Sequence, residues 1–256
     1  MVAKKAVILA GGKGSRLAPY TTVLPKPLLP VGDRAILDVV VRQLEHHGFT
    51  DLTFAVGYLA HLIRAVFGDG SNHGVSIEYH EERQPLGTAG ALATVDGLED
   101  TFLAMNGDVL TALDYAQLYR LHKEAGNMLT IATHRRVVRT DYGVIHEDGM
   151  VGETRRVVGY EEKPEIPYTV SMGVYMVEPA VLDYIERDTY LDVPDLVLRL
   201  LEADQQVASY LFDGYWLDIG RHDDYEKAIA EYENLKDSLW PEEAPRAEVE
   251  SAEHLS

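Results

Sequence analysis

The chain has no cysteine among its 256 residues. That excludes disulfides, a thiolate metal site and a cysteine nucleophile. It has no apolar run near the roughly 20 residues needed to span a bilayer, so no membrane partner is expected. No signal peptide is expected either, because Lys4 and Lys5 precede only a strand-length apolar run that breaks at Gly11. There is no internal repeat and no low-complexity tract. Positive charge is scarce: 23 Lys and Arg stand against 42 Asp and Glu, a formal net charge of −19. A surface of that sign repels nucleic acid and anionic lipid. It repels nucleotides too, so an anionic small molecule would need a local cationic pocket. A cytoplasmic location is the simple expectation. The 46% hydrophobic content is ample for a core. The length suits one domain over residues 1–238, followed by a flexible acidic tail over 239–256.

Two common phosphate-loop patterns are also missing. No stretch fits G-x-x-x-x-G-K-[ST]. The dinucleotide pattern G-x-G-x-x-G begins at Gly12 and Gly14, but Leu17 stands where the third glycine would allow close helix–strand packing. What is present is the segment Leu9–Pro30, LAGGKGSRLAPYTTVLPKPLLP. It follows Ala6–Ala10, which reads as a buried strand. Gly11, Gly12 and Gly14 let the backbone turn sharply and bring its N–H groups close to a ligand. Arg16 and Lys26 follow at fixed distances, with Lys26 between two prolines. Pro19, Pro25, Pro27 and Pro30 are expected to keep the chain extended to about Asp33, so the loop covers its ligand. A strand, a glycine loop and two placed cations make a polyphosphate site.

Strand-length runs and amphipathic stretches alternate through the first half. Asp33 is expected to cap a helix running to about His47, ended by Gly48. Strands are expected at Leu52–Val56, Val75–Tyr79 and Phe102–Met105, with a helix at Leu59–Phe67 and another beginning near Thr88. Asp114–Gly126 reads as a helix and Met128–His134 as a strand. Tyr142–His146 and Arg155–Tyr160 read as a hairpin around Asp148-Gly149. Then come a strand at Val170–Val177, helices at Pro179–Arg187 and Val193–Glu202, a strand at Gln206–Phe212 and a last helix near His222–Lys236. Repeated strand–helix units argue for an α/β fold, a three-layer sandwich with a mostly parallel central sheet flanked by helices.

Further candidates lie downstream. Asp108 follows the carboxyl end of an expected strand, the edge where open α/β sheets bind ligands. Asp218 lies among large apolar residues in Tyr215–Gly220, where a carboxylate is costly unless paired or bound to a cation. Two such carboxylates converging would suit Mg²⁺, which takes one or two carboxylates plus phosphate oxygens. Lys163, in Glu161-Glu162-Lys163-Pro164, is a point-charge phosphate binder at a strand end. Gly87-Thr88-Ala89-Gly90 puts small residues at a helix start, with backbone N–H groups open to an anion or a base edge. Each also has an ordinary reading, as a turn aspartate, a helix cap, a solvated lysine or a tight helix start.

Taken in order, these segments resemble the sugar-1-phosphate nucleotidyltransferases, also called NDP-sugar pyrophosphorylases, with a Rossmann-like fold. The resemblance runs through LAGGKGSRLAPYTTVLPKP, PLGTAGAL, NGDV, DYGV, YEEKP, SMGVY and GYWLDIG, from about Ala6 to Lys236. It implies transfer of a nucleotidyl group from an NTP to a sugar-1-phosphate, giving an NDP-sugar and pyrophosphate. Leu9, Ala10, Gly11, Gly12, Gly14 and Ser15 would wrap the nucleotide phosphates. Arg16 would offset charge during transfer, and Lys26 would hold the phosphates from the loop's far end. Asp108 and Asp218 would bind Mg²⁺. Glu82, Gln84, Gly87 and Thr88 would line the base pocket. Asn106, Gly143, Glu162, Lys163 and Ser171 would hold the sugar phosphate. The attacking phosphate oxygen is already anionic, so neither a general base nor a covalent intermediate is expected. Many members carry a C-terminal left-handed β-helix; none is expected here, although a homo-oligomer such as a dimer is allowed for.

PLGTAGAL looks most like the mannose-1-phosphate guanylyltransferase branch. Glu81 or Glu82 would accept from guanine, whereas Gln84 would read a pyrimidine edge. GTP is slightly favoured. Uridylyl or thymidylyl transfer is the alternative, and mannose, glucose, a heptose or a cyclitol phosphate would all fit. A non-catalytic NDP-sugar binder would lack the cations or the carboxylates, and all are present. A dinucleotide-dependent oxidoreductase is disfavoured by the broken glycine pattern.

Overall fold

The computed structural model describes residues 3–82 and 84–239. The tail expected from Trp240 onward lies outside the described residues. In chain order the elements are β1 (Lys4–Ala10), β2 (Pro30–Val31), β3 (Arg34–Ala35), α1 (Ile36–His46), β4 (Phe49–Val56), α2 (Ala60–Phe67), β5 (Ser76–Glu81), α3 (Gly87–Gly90), β6 (Phe102–Asn106), β7 (Val109–Thr111), α4 (Tyr115–Ala125), β8 (Leu129–Arg139), β9 (Val144–Val151), β10 (Thr154–Glu161), β11 (Glu165–Val177), α5 (Val193–Glu202), β12 (Val207–Leu211), β13 (Trp216–Asp218) and α6 (His222–Leu239).

The central sheet has the order β12-β8-β11-β6-β1-β4-β5. β1 runs parallel to β4 and β6, β4 to β5, and β8 to β12; β11 alone is antiparallel to its neighbours. The mostly parallel sheet expected from the sequence is therefore present. β1 shows why it is covered on both faces. Ala6 and Ile8 pack with Leu37, Val40 and Leu44 of α1 and Ile63 of α2. Val7 points the other way, into a cluster with Ala104, Val177 and Leu196 and Leu200 of α5. A third cluster joins Leu17, Leu29, Leu110, Leu217, Ile219 and the α6 residues Tyr225, Ala228 and Tyr232. It fastens the long loop after β1 to the β7–β13 pair. Leu17 is fully buried there, which accounts for a leucine in place of the third glycine.

Several local expectations need correction. Asp33 does not cap α1. It sits in the turn between β2 and β3, where its carboxylate accepts from the Tyr232 hydroxyl at 3.2 Å, and Ala35 holds the cap position. The proline-rich loop is not extended: Ser15–Leu17, Tyr20–Thr22 and Lys26–Leu28 form three 3₁₀ turns. Proline's fixed φ suits such a turn as well as an extended chain. The helix near Thr88 is a single turn, and the expected Pro179–Arg187 helix is a 3₁₀ segment, Pro179–Tyr184. In the β9–β10 hairpin, Asp148-Gly149 is not the turn. Gly149, at φ +60°, is an extra residue bulged from β9, and the strands close at Val151 and Thr154. The three-residue strands β7 and β13 were too short to read from periodicity.

Candidate functional site

The site is built at the carboxyl ends of β1 and β6. A cleft of about 630 Å³ opens there, lined by Leu9, Ala10, Gly11, Gly12, Gly14, Arg16 and Lys26 on the loop side. Glu82, Gln84, Gly87 and Thr88 line another wall, and Asn106 and Asp108 lie between. The three loop glycines have different reasons to be there. A side chain on Gly11 would meet Glu82 Oε1 at 2.7 Å. Gly14 is left-handed at φ +60°, and its carbonyl accepts from Thr21 Oγ1 at 2.9 Å. A Cβ on Gly12 would meet nothing within 4 Å, because that position faces open space.

Lys26 is buried, and its ammonium is ion-paired with Asp108 Oδ2. The other oxygen, Asp108 Oδ1, is buried without a hydrogen-bond partner. Asp218 lies close by, since β13 pairs Asp218 with Val109, the residue after Asp108. Burial and then the Asp108 charge push the Asp218 carboxyl above its ordinary range, against the pull of Lys26 and Arg16. Arg16 is exposed and makes no ion pair among the described residues. Its Nη1 and Asp218 Oδ2 both lie 3.7 Å from the Cβ position of Gly220. An orphaned buried carboxylate oxygen beside a second, electrostatically strained carboxylate fits a hard divalent cation. No group of three or more His, Cys, Asp or Glu suited to a metal occurs among the described residues. Two carboxylates would leave the remaining positions to substrate oxygens and water, the pattern magnesium favours.

On the opposite wall Glu82 follows β5, and its backbone N–H donates to Val56 O at 3.0 Å. Its carboxylate is half-buried and pushed upward by that burial. Glu81 instead lies 3.8 Å from Arg64 and is not part of the cleft wall, so Glu82 is the acidic group placed for a ligand. The expectation of open N–H groups at Gly87–Gly90 is not met. Thr88 N donates to Asp192 Oδ1 at 3.0 Å, and the Ala89 and Gly90 N–H groups both donate to Leu191 O at 2.9 Å. Gly87 and Thr88 line the cleft all the same. The sequence reading missed Lys13, Tyr58, Tyr190 and Asp192, which line it too. Only Asp192 carried a signal, as an aspartate directly before Val193-Pro194 at a helix start.

The sugar-side candidates fall into two groups. Asn106 lines the cleft and packs against Gly173, at φ +73° in a bulge of β11 that begins at Ser171. Ser171 Oγ accepts from Gly173 N at 3.3 Å. Gly143, Glu162 and Lys163 cluster separately beside the β9–β10 hairpin. The Tyr160 hydroxyl donates to Glu162 Oε2 at 3.1 Å, and its ring occupies the space beside Gly143. Lys163 is exposed, with φ +49°. Ser15, Gly143, Glu162, Lys163, Ser171 and Asp218 do not line the cleft itself.

Fold and cleft together define an α/β protein with a glycine-rich ligand site at the carboxyl edge of its parallel sheet. The chain belongs to the nucleotidyl transferase family, whose model matches residues 5–235. It is 33% identical over 245 residues to the UTP–glucose-1-phosphate uridylyltransferase of Synechocystis sp., covering 88% of this chain and 62% of that protein. It is 35% identical over 232 residues to the mannose-1-phosphate guanylyltransferase of Mycobacterium tuberculosis, covering 88% of this chain and 64% of that one. The chain thus spans slightly less than two thirds of the length of these curated relatives. Among solved structures, a Bacillus anthracis protein assigned as a glucose-1-phosphate thymidylyltransferase superposes with a TM-score of 0.72 at 26% identity, covering 89% of this chain and 94% of that one. No helix among the described residues is long and apolar enough to cross a membrane.

Proposed function

We propose that this chain transfers a nucleotidyl group from a nucleoside triphosphate to a sugar-1-phosphate or a sugar-like phosphate, releasing pyrophosphate. Its family supports the reaction class. The observation that carries the reading is the Lys26–Asp108 pair at the foot of the glycine loop, with Arg16 and Asp218 beside it. Two anions must meet in this reaction, so positioning and charge neutralisation are the main demands on the protein. Arg16, free of ion pairs among the described residues, is available to a phosphate as it gains negative charge. Lys26 grips the phosphates from the buried end of the loop once they draw it from Asp108. Asn106 and the Ser171–Gly173 bulge border the sugar side, and Lys163 offsets the charge of the attacking phosphate. Asp108 and Asp218 would hold Mg²⁺, which supplies further charge neutralisation at the phosphates when bound. The attacking oxygen is anionic already, so no side chain need take a proton.

GTP is the favoured nucleotide on this reading. Of the acidic groups lining the cleft, Asp108 is paired with Lys26 and Asp192 is bonded to Thr88 and Tyr190, so Glu82 is the one offered to a base, and a carboxylate accepts the two donors on the guanine edge that uracil and thymine lack. The similarity to guanylyltransferases supports this, and that to uridylyl- and thymidylyltransferases keeps UTP and dTTP in the test. A matrix of nucleoside triphosphates against sugar-1-phosphates, read by pyrophosphate release with Mg²⁺ present, checks both points. Release with GTP and one sugar phosphate is expected. Silence across the matrix, with nucleotide sugars still bound, would replace the reading with a non-catalytic binding protein.

A further inference from the structure

We propose that Tyr190 is the platform on which the nucleotide base stacks, and so helps to set nucleotide choice. The inference rests on the nucleotide-binding reading of the cleft. Tyr190 lines that cleft and is 61% exposed, so its ring face is open to a ligand there. It is not loosely placed. Its hydroxyl donates to Asp192 Oδ2 at 2.7 Å. Asp192 Oδ1 accepts from Thr88 N at 3.0 Å and Thr88 Oγ1 at 3.3 Å, and Thr88 Oγ1 in turn accepts from Val193 N at 3.0 Å. Directly after Tyr190 the backbone is pinned to that same distant segment. Leu191 N donates to Leu86 O at 2.9 Å, and Leu191 O takes the N–H groups of Ala89 and Gly90.

The close approach also explains the small residues of α3. A Cβ on Gly87 would lie 2.5 Å from Leu191 O, and one on Gly90 would lie 2.5 Å from Thr189 O. The segment thus anchors Tyr190 in the same cleft as Glu82 and Gln84, the groups that would read the base edge. Edge and ring are complementary. Hydrogen bonds choose among bases, whereas a π-face takes any base and rewards the larger purine surface. The hydroxyl is committed to Asp192, so the ring is what Tyr190 offers a ligand. A tyrosine with two side-chain torsions, one end already tethered, loses little freedom when a base settles on it.

The test compares Y190A, Y190F and Y190W over the nucleoside triphosphate panel, with kcat and KM separated and melting temperatures measured. Y190A is expected to raise the KM for the preferred triphosphate about tenfold, on the order of one lost base stack. It should narrow the purine-over-pyrimidine ratio and change kcat far less than KM. Y190F and Y190W keep a ring and should stay near the wild-type KM. Unchanged KM in Y190A for every triphosphate would overturn the proposal. Equal losses in Y190A and Y190F would also overturn it, since the tether to Asp192 and not the ring would then matter. The wild type reports separately on the underlying reading. If it binds triphosphates in a Tyr190-dependent way but releases no pyrophosphate with any acceptor, the platform stands and the transferase assignment falls.

Discussion

Replacing Gly12 by alanine isolates the ligand's claim on the loop from the fold's. Its neighbours make the contrast clear. At Gly11 an added methyl would collide with the Glu82 carboxylate, and at Gly14 it would meet both a left-handed backbone and Thr21 Cγ2 at 3.0 Å. At Gly12 there is nothing within 4 Å, and the backbone is not in the left-handed region. The fold should therefore gain slightly from the substitution, by about 0.4–1 kcal/mol, through the stiffer unfolded chain. For a chain of this size that is a rise in Tm of roughly 1–4 °C. If the phosphate chain lies over the loop, the methyl occupies space the phosphates need. A displacement of about 1 Å from reactive geometry costs on the order of 100-fold in rate. The expected outcome is thus an equal or higher Tm together with a large fall in kcat/KM, measured by thermal unfolding and pyrophosphate release. Wild-type kinetics in Gly12→Ala would mean that the phosphates do not cross this residue. A fall in Tm would mean that the space is not open.

The remaining expectations concern charge and packing. Arg16→Ala should leave Tm nearly unchanged and lower kcat/KM by about 100- to 1,000-fold, as for loss of one preorganised charge partner; a change under threefold would remove Arg16 from the transfer step. Asp218 has its carboxyl raised above the ordinary 3.8, chiefly by burial and then by Asp108, so the folded protein binds the proton more tightly than the unfolded chain. Its contribution to stability is therefore present at low pH and is lost as pH rises through the folded value. Asp218→Asn should flatten that part of the stability curve and raise Tm at neutral pH without Mg²⁺; an unaltered pH profile would contradict the strain assigned to it. Adding Mg²⁺ should stabilise the wild type at neutral pH and Asp218→Asn much less. Gly87→Ala places a Cβ 2.5 Å from Leu191 O at φ +75°, so a loss of about 2–4 kcal/mol and a melting point lower by roughly 4–16 °C are expected, while a normal melting curve would refute the packing described for α3.

The parts legible in the sequence were those whose pattern is enforced locally. A doubly covered parallel strand must be apolar on both sides, so Ala6–Ala10 announced both itself and the layered fold. The helix read at Asp114–Gly126 is α4, and its bounds were legible because Asp114 caps its start and Gly126 ends it in the left-handed conformation. Gly11 to Lys26 stood out as one candidate site because close backbone approach and placed cations both restrict residue type, and its glycines, Arg16 and Lys26 do line one cleft. What escaped depends on contacts between distant segments. The cap of α1 moved because Pro30–Ala35 folds into a small hairpin whose turn residue, Asp33, is claimed by Tyr232 from α6, 199 positions later. The amides of Ala89 and Gly90 looked available only because nothing local hints that Leu191 will occupy them.

The same reasoning separates the two sides of the candidate site. The proposed nucleotide wall is built around the ends of β1, β5 and β6 in one sheet, so a motif's position directly after its strand already placed it in the cleft. The sugar-side motifs sit on the β9–β10 hairpin and its junctions, outside the central sheet, and sequence order gives their spacing from one another but not from the cleft. Within the sheet the bulge of β11 bridges this gap: three residues, Met172 to Val174, stand opposite Ala132 alone, and Gly173 takes φ +73° so that Asn106 can pack against it. A bulge at that point turns, beside the cleft, the strand that leads in from Lys163. An alanine at position 173 would bring a Cβ within 2.6 Å of the Asn106 amide nitrogen as well as straining the backbone. Its effect should therefore appear first in the KM for the sugar phosphate and only second in the KM for the nucleotide. The reverse order would place the sugar on the other side of Asn106.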